Sequence, residues 1–396
     1  MLRPKISGRK VAKSEDRLKA CASKKLIFDA HCHYFNYQQQ TQGVKVLVDE
    51  MTNNGIGFAA LSGCAFKKTW MHSSDPAPSH HLYDDGDLYY YSMTDAILHR
   101  DLEKAGPELA SYFNFCACGF NLADAGAGIE AQDVVDHFPV TAFGELTLQS
   151  DDINNMTVKG GNWTYSDPSV KAILDVCAAH KPHPLPFIFV SDACSVTTKP
   201  YRGDFEYIGE IEMVCSHNRN VPCLWIGAGT SMRGNWDGYS GVLRALLAEH
   251  PNLYVSFTPE LISGKYDGLS RPEAFKLAKE LPHRIVLGTE ARGVFAGEPE
   301  RCFGQMTYAD ECKALVEFAE LVERECGDAI AASLRYRTAA QLFSMALPDD
   351  PNAAKVQSCS GTPPPRKSSR GLAHGRLVRC KVLADTLHAS LLAAAS

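Results

Sequence analysis

The sequence predicts an α/β protein folded as a (β/α)8 TIM-like barrel, on three observations. Short β-branched or aromatic runs alternate eight times with segments of helical period across residues 26–346. The first strand segment is not followed by a glycine-rich phosphate loop. That argues against a doubly wound dinucleotide-binding sheet, the other arrangement this alternation allows. Metal-capable and acid–base residues stand at the ends of several strand segments, where a barrel carries its chemistry.

The strands are expected at 25–30, 57–64, 112–119, 140–148, 186–191, 223–228, 253–258 and 284–289, from their apolar and β-branched content. Helical periodicity covers 42–54, 93–105, 127–138, 168–180, 204–218, 240–250 and 271–281, and then 308–346, which Gly327 divides in two. Ser166-Asp167-Pro168 and Ser270-Arg271-Pro272 each place a capping residue ahead of a helix-starting proline. In "AEHPNLYV" the His250-Pro251 step ends a helix before the next strand. The glycines of "GAGIE" (126–130) and "GAGTS" (227–231) lack the full dinucleotide fingerprint and read as turns.

Composition narrows the class. The chain has 396 residues, 45% of them hydrophobic and 22% charged, as in a globular protein with a large core. It contains no apolar run long enough to span a bilayer and no apolar signal core at its N-terminus, so a cytoplasmic protein is expected. The 14 cysteines include no C-x-x-C pair and read as reduced, mostly buried thiols. Charge is concentrated at the ends: residues 1–25 carry +7, residues 351–396 carry +6, and the body 26–350 carries −19. An acidic body excludes a nucleic-acid binder. The ends, 1–25 and 348–396, are expected to be solvated basic tails, the second with the linker-like "SGTPPPRKSSRG". Import through the basic N-terminus is the alternative localisation, and Glu15 and Asp16 weigh against it. No membrane partner is expected, and a homodimer is the default assembly.

The chemistry begins in "KKLIFDAHCHYFN" (24–36). On a strand, residues two apart share a face, so His31 and His33 can converge on one ion. Zinc accepts imidazole and carboxylate ligands and, in catalytic sites, keeps a position open for water. The other reading is a pair of strand-end histidines with structural hydrogen bonds. Glu290 supplies a third ligand at the end of the eighth strand, Glu145 on the fourth a fourth ligand or bridge, and either of them the base that accepts a proton. Asp29 reads as a supporting group that orients a histidine. Arg292 and Arg233 could each grip a substrate carboxylate, or else pair with a nearby acid. The loop after the second strand holds His72, His80 and His81 and has the length of a lid.

"FDAHCHYFN", "FGEL", "HPNLYVSFT", "IVLGTEARG" and "LRYRTAAQLF" occur in that order across residues 26–346. In these motifs the chain resembles the amidohydrolase-related metal-dependent barrel hydrolases, the group that includes aminocarboxymuconate-semialdehyde decarboxylase. The resemblance implies a distorted barrel holding one divalent metal, zinc before manganese or iron, and a small-molecule substrate that is hydrolysed, decarboxylated or hydrated. It implies His31 and His33 as ligands and puts Glu290 where the family carries an aspartate. The departures are Ser191 and Ala228 at the family's next two histidine positions and Thr338 at an asparagine. Three readings follow: an enzyme with a remodelled site, a degenerate barrel that binds without turnover, and a scaffold whose tails meet acidic partners.

Overall fold

Eight parallel strands form one sheet whose last member returns to the first. The computed structural model describes residues 9–79, 82, 86–150, 153, 163–193, 205, 207–229, 239–263, 270–297 and 306–347. Ten strands are found among them: β1 (Ile27–His33), β2 (Ile56–Ser62), β3 (Phe66–Lys68), β4 (Leu88–Tyr90), β5 (Phe113–Ala117), β6 (Ala142–Thr147), β7 (Phe187–Val190), β8 (Cys223–Trp225), β9 (Leu253–Phe257) and β10 (Ile285–Leu287). The large sheet runs β1-β2-β5-β6-β7-β8-β9-β10, and β3 pairs with β4 in a separate antiparallel hairpin. Closure comes from the segment after β10. The Glu290 amide donates to the His31 carbonyl (3.0 Å), the His33 amide to Ala291 (2.8 Å) and the Gly293 amide to His33 (3.2 Å). This is a (β/α)8 barrel, with every barrel strand inside or overlapping its expected segment.

Alternation separates two cores. Phe28, Ala30, Phe58, Ala60, Cys116 and Ala142 pack inside the barrel, whose lower end is filled by Tyr336, Ala339 and Phe343. Phe28 meets Phe58 edge-on at 4.8 Å and stacks on Phe343 at 5.5 Å. The opposite strand faces, including Cys32, Phe143, Leu146 and Phe189, join the outer core under the helices. The proline-initiated helices appear as Pro168–Ala179 and Arg271–Glu280, and in the second the Ser270 side chain accepts from the Glu273 amide.

Two expectations change. Residues 9–24 are not a solvated tail: they form a helix whose Leu18 and Cys21 are fully buried. It lies so close to β2 that a Cβ on Gly57 would be 2.6 Å from Cys21 Sγ. Arg17 stacks on Tyr112 at 3.5 Å. The charge density of this segment reported its outer face only, and two apolar side chains on the other face suffice to dock it. The loop after β2 is partly structured by the β3–β4 hairpin. His72 lies in an exposed turn there, while His80 and His81 lie outside the described residues. The expected C-terminal tail, 348–396, also lies outside them, and no described helix is long and apolar enough to cross a membrane.

Candidate metal centre

Two register shifts build the site. Asp29 of β1 pairs with Ala59 and Cys32 with Leu61, so Ala30 and His31 together oppose the single residue Ala60. Strict alternation from the inward Phe28 and Ala30 would turn His31 and His33 outward. The extra residue inverts the parity: Cys32 joins the outer core, and both histidines face the lumen. The same device operates on β6. Phe143 pairs with Phe187 and Leu146 with Phe189, leaving Gly144 and Glu145 against Ile188. Leu146 thereby faces outward and Glu145 inward. Gly144 is required there. Its φ is +134°, and a Cβ would stand 2.2 Å from the Ile188 carbonyl oxygen.

The three side chains converge. His31 Nε2 is 3.1 Å and His33 Nε2 3.5 Å from Glu145 Oε2, with the rings 4.5 Å apart and steeply inclined. One ligand atom from each residue lies within 4.8 Å of the others, and all three residues are buried. His33 Nδ1 is 2.9 Å from the Gly63 carbonyl, which can only accept, so Nδ1 carries the proton and Nε2 presents its lone pair. Ser62 Oγ lies 3.3 Å from the same Nδ1.

Burial drives the His31 imidazole down to about 3, and burial together with Arg292 lowers that of His33, so both rings are neutral at pH 7. Burial alone would push the Glu145 carboxyl up. His33, His31 and Arg292 outweigh it and hold the group well below the usual carboxylate range. The result is two neutral imidazoles and one anionic oxygen facing a single point, with the lone pair of His33 Nε2 directed at it. None of His31 Nε2, His33 Nε2 and Glu145 Oε2 has a hydrogen-bond partner of acceptable geometry. Buried polar atoms gathered without well-formed hydrogen bonds are costly, and a cation among them would offset that cost. Two nitrogens and a carboxylate oxygen suit a divalent ion of the zinc type.

Asp29 supports the site through the backbone. Its oxygens accept from the His31 amide (3.1 Å), the Thr289 amide (3.0 Å) and Thr289 Oγ1 (2.6 Å), linking β1 to the end of β10. It holds the turn that carries the imidazole and not the ring, as the sequence had suggested. Burial raises its carboxyl to about 7. Arg292 stands beside the centre, Nη2 3.6 Å from Glu145 Oε1 and its guanidinium over the Tyr37 ring at 5.2 Å.

Glu290 is not the third member of the group. Its φ is +59°, which takes it out of strand alternation, and its carboxylate lies outside the 4.8 Å group. Burial, Glu260 and Glu145 push its carboxyl well above the ordinary range. Ser191 and Ala228 add no ligand. Ser191 Oγ donates to the Asp192 carbonyl, and Ala228 sits in the left-handed region with its carbonyl accepting from Tyr239. Arg233 lies outside the described residues. Gly63, Tyr37 and Glu260 were not visible as site residues in the sequence. Their roles depend on a carbonyl, a ring face and a charge brought in from other elements.

No family model and no curated protein sequence matches the chain. Solved structures do. An uncharacterized TIM-barrel protein from Bordetella bronchiseptica aligns over 81% of this chain and 98% of its own, at 12% identity and TM-score 0.48. Dihydroorotase from Saccharomyces cerevisiae aligns over 81% and 84%, at 11% and 0.49. 2,6-Dihydroxybenzoate decarboxylase from Rhizobium aligns over 81% and 98%, at 11% and 0.43.

Proposed function

We propose that this chain is a metal-dependent hydrolase of the amidohydrolase type, acting on the amide, ester or lactone carbonyl of a small carboxylate-bearing molecule. The observation that carries the reading is the convergence of His31 Nε2, His33 Nε2 and Glu145 Oε2, all buried and none with a hydrogen-bond partner of acceptable geometry. His31, His33 and Glu145 would hold a divalent ion, zinc by their donor set, which would supply an activated water and Lewis acidity toward a carbonyl. Gly63 fixes the His33 tautomer, and Asp29 and Thr289 hold the turn that presents His31. Arg292 is a quarter exposed and braced by Tyr37 and Glu145. Its remaining N–H groups suit a substrate carboxylate. Glu290, at the rim beside Glu145 and Glu260, is the group through which a proton reaches or leaves the reacting atoms. The same arrangement serves decarboxylation, in which the substrate carboxylate is lost and a proton takes its place.

A second reading has its own support. With Ser191 and Ala228 turned to backbone contacts, the described rim provides three ligands and no further imidazole. A barrel that binds a ligand without turnover fits that as well. Elemental mass spectrometry of the purified full chain, beside a His31→Ala/His33→Ala variant, separates the outcomes. About one zinc or manganese per chain, lost in the variant, supports the enzyme reading and justifies a screen of esters, amides, lactones and β-keto acids. Background metal in both proteins after incubation with zinc rejects it.

A further inference from the structure

Ser256 lies on β9, in the strand next to β10, and is fully buried. A buried hydroxyl without a hydrogen bond is costly, yet Ser256 Oγ has no partner among the described residues. His31 is nearly fully buried too, and its Nδ1 is equally without a partner. Gly288 stands between the two residues. A Cβ placed on it would be 3.0 Å from Ser256 Oγ and 3.2 Å from His31 Cβ, so the missing side chain of Gly288 leaves the hydroxyl and the root of the His31 side chain bordering the same spot. Asp29 already has both oxygens engaged by the His31 amide and by Thr289.

We propose that Ser256 is the positioning residue of His31, its Oγ receiving the Nδ1–H bond directly or through one water when His31 Nε2 holds a metal ion. The reasoning rests on the metal reading above. A neutral imidazole that gives Nε2 to an ion must carry its proton on Nδ1, and that N–H needs an acceptor to set the ring's orientation and basicity. For His33 the acceptor is the Gly63 carbonyl. For His31 the unpartnered hydroxyl of Ser256 answers the same need. The two ligands would then be held by different means, one by a main-chain oxygen and the other by a replaceable hydroxyl.

The test is zinc affinity of the full chain, by competition with a chromophoric chelator, for the wild type, Ser256→Ala and Ser256→Thr, with the melting temperature of each metal-free protein measured alongside. The inference predicts that Ser256→Ala weakens zinc binding about 10-fold or more, at a metal-free melting temperature close to the wild type's, and that Ser256→Thr restores the affinity. Wild-type affinity in Ser256→Ala, or a change in melting temperature alone, overturns this inference and leaves the metal centre standing. A wild type that binds no zinc overturns both.

Discussion

The rim of the barrel divides into two regions that a reader of the strand segments would treat alike. On β1 and β6 a residue is inserted against the neighbouring strand, and the side chains that follow turn into the lumen: His31, His33 and Glu145. On β7 and β8 the pairing runs Phe187 to Cys223, Ile188 to Leu224 and Phe189 to Trp225 without an insertion. There the strand ends are closed by main-chain contacts. Trp225 Nε1 donates to the Ser191 carbonyl at 2.8 Å, and Tyr239 donates to that of Ala228. Binding capacity in this barrel therefore follows local register as much as residue type. The ligand residues are aimed by bulges, and among the described residues β7 and β8 carry neither a bulge nor a member of the cluster.

The largest effect that could break this comparison is loss of the anion. Glu145→Gln keeps the side chain's shape while removing its charge, and zinc affinity by chelator competition should fall by more than about 100-fold, beyond what an outer partner contributes. Unchanged affinity would mean that the β6 insertion serves packing and not binding.

Gly144→Ala attacks the bulge itself. A left-handed φ and a Cβ driven into the Ile188 carbonyl should together cost about 2–4 kcal/mol in urea unfolding, with weaker zinc binding in whatever remains folded. An Ala variant with wild-type stability would show that β6 and β7 can separate freely.

A third measurement probes the rim through pH. Asp95 is buried and accepts from the Cys118 (3.0 Å) and Gly119 (2.8 Å) amides beyond β5, and burial raises its carboxyl to about 6. The folded protein thus holds this proton more tightly than the unfolded chain, whose carboxyl titrates near 3.8. Its contribution is complete below about pH 4, declines as pH rises toward about 6 and is constant above, a change of roughly 2–3 kcal/mol. Asp95→Asn should remove that slope from stability measured between those limits. A slope identical to the wild type's would assign the pH dependence to other groups.

The smallest effect comes from the end of the barrel opposite the rim. Thr338 Oγ1 donates to the Pro282 carbonyl at 2.8 Å, beside the Tyr336, Ala339 and Phe343 that fill the lower end of the barrel. Thr338→Val should cost about 1 kcal/mol in thermal unfolding and leave metal content unchanged. Metal loss in this variant would tie the barrel floor to the centre.

The eight strands, their order along the chain and the pair His31 and His33 could be read from the sequence, because each depends on local periodicity and on spacing within one strand. Arg292, two residues past Glu290 at a strand end, was legible as a charge near the rim, and in the structure it pairs with an acid, Glu145. The choice of Glu145 over Glu290, the backbone role of Asp29 and the docking of residues 9–24 were not. Parity along a strand is set by the partner strand's register, a left-handed φ at Glu290 is imposed by the closure of β10 onto β1, and two buried side chains outweigh a basic composition only when a surface exists to receive them. Residue types and their spacing determined which groups this protein has available for chemistry. The tertiary structure decided which of them face one another, because inward and outward on a barrel are fixed by contacts between strands far apart in the chain.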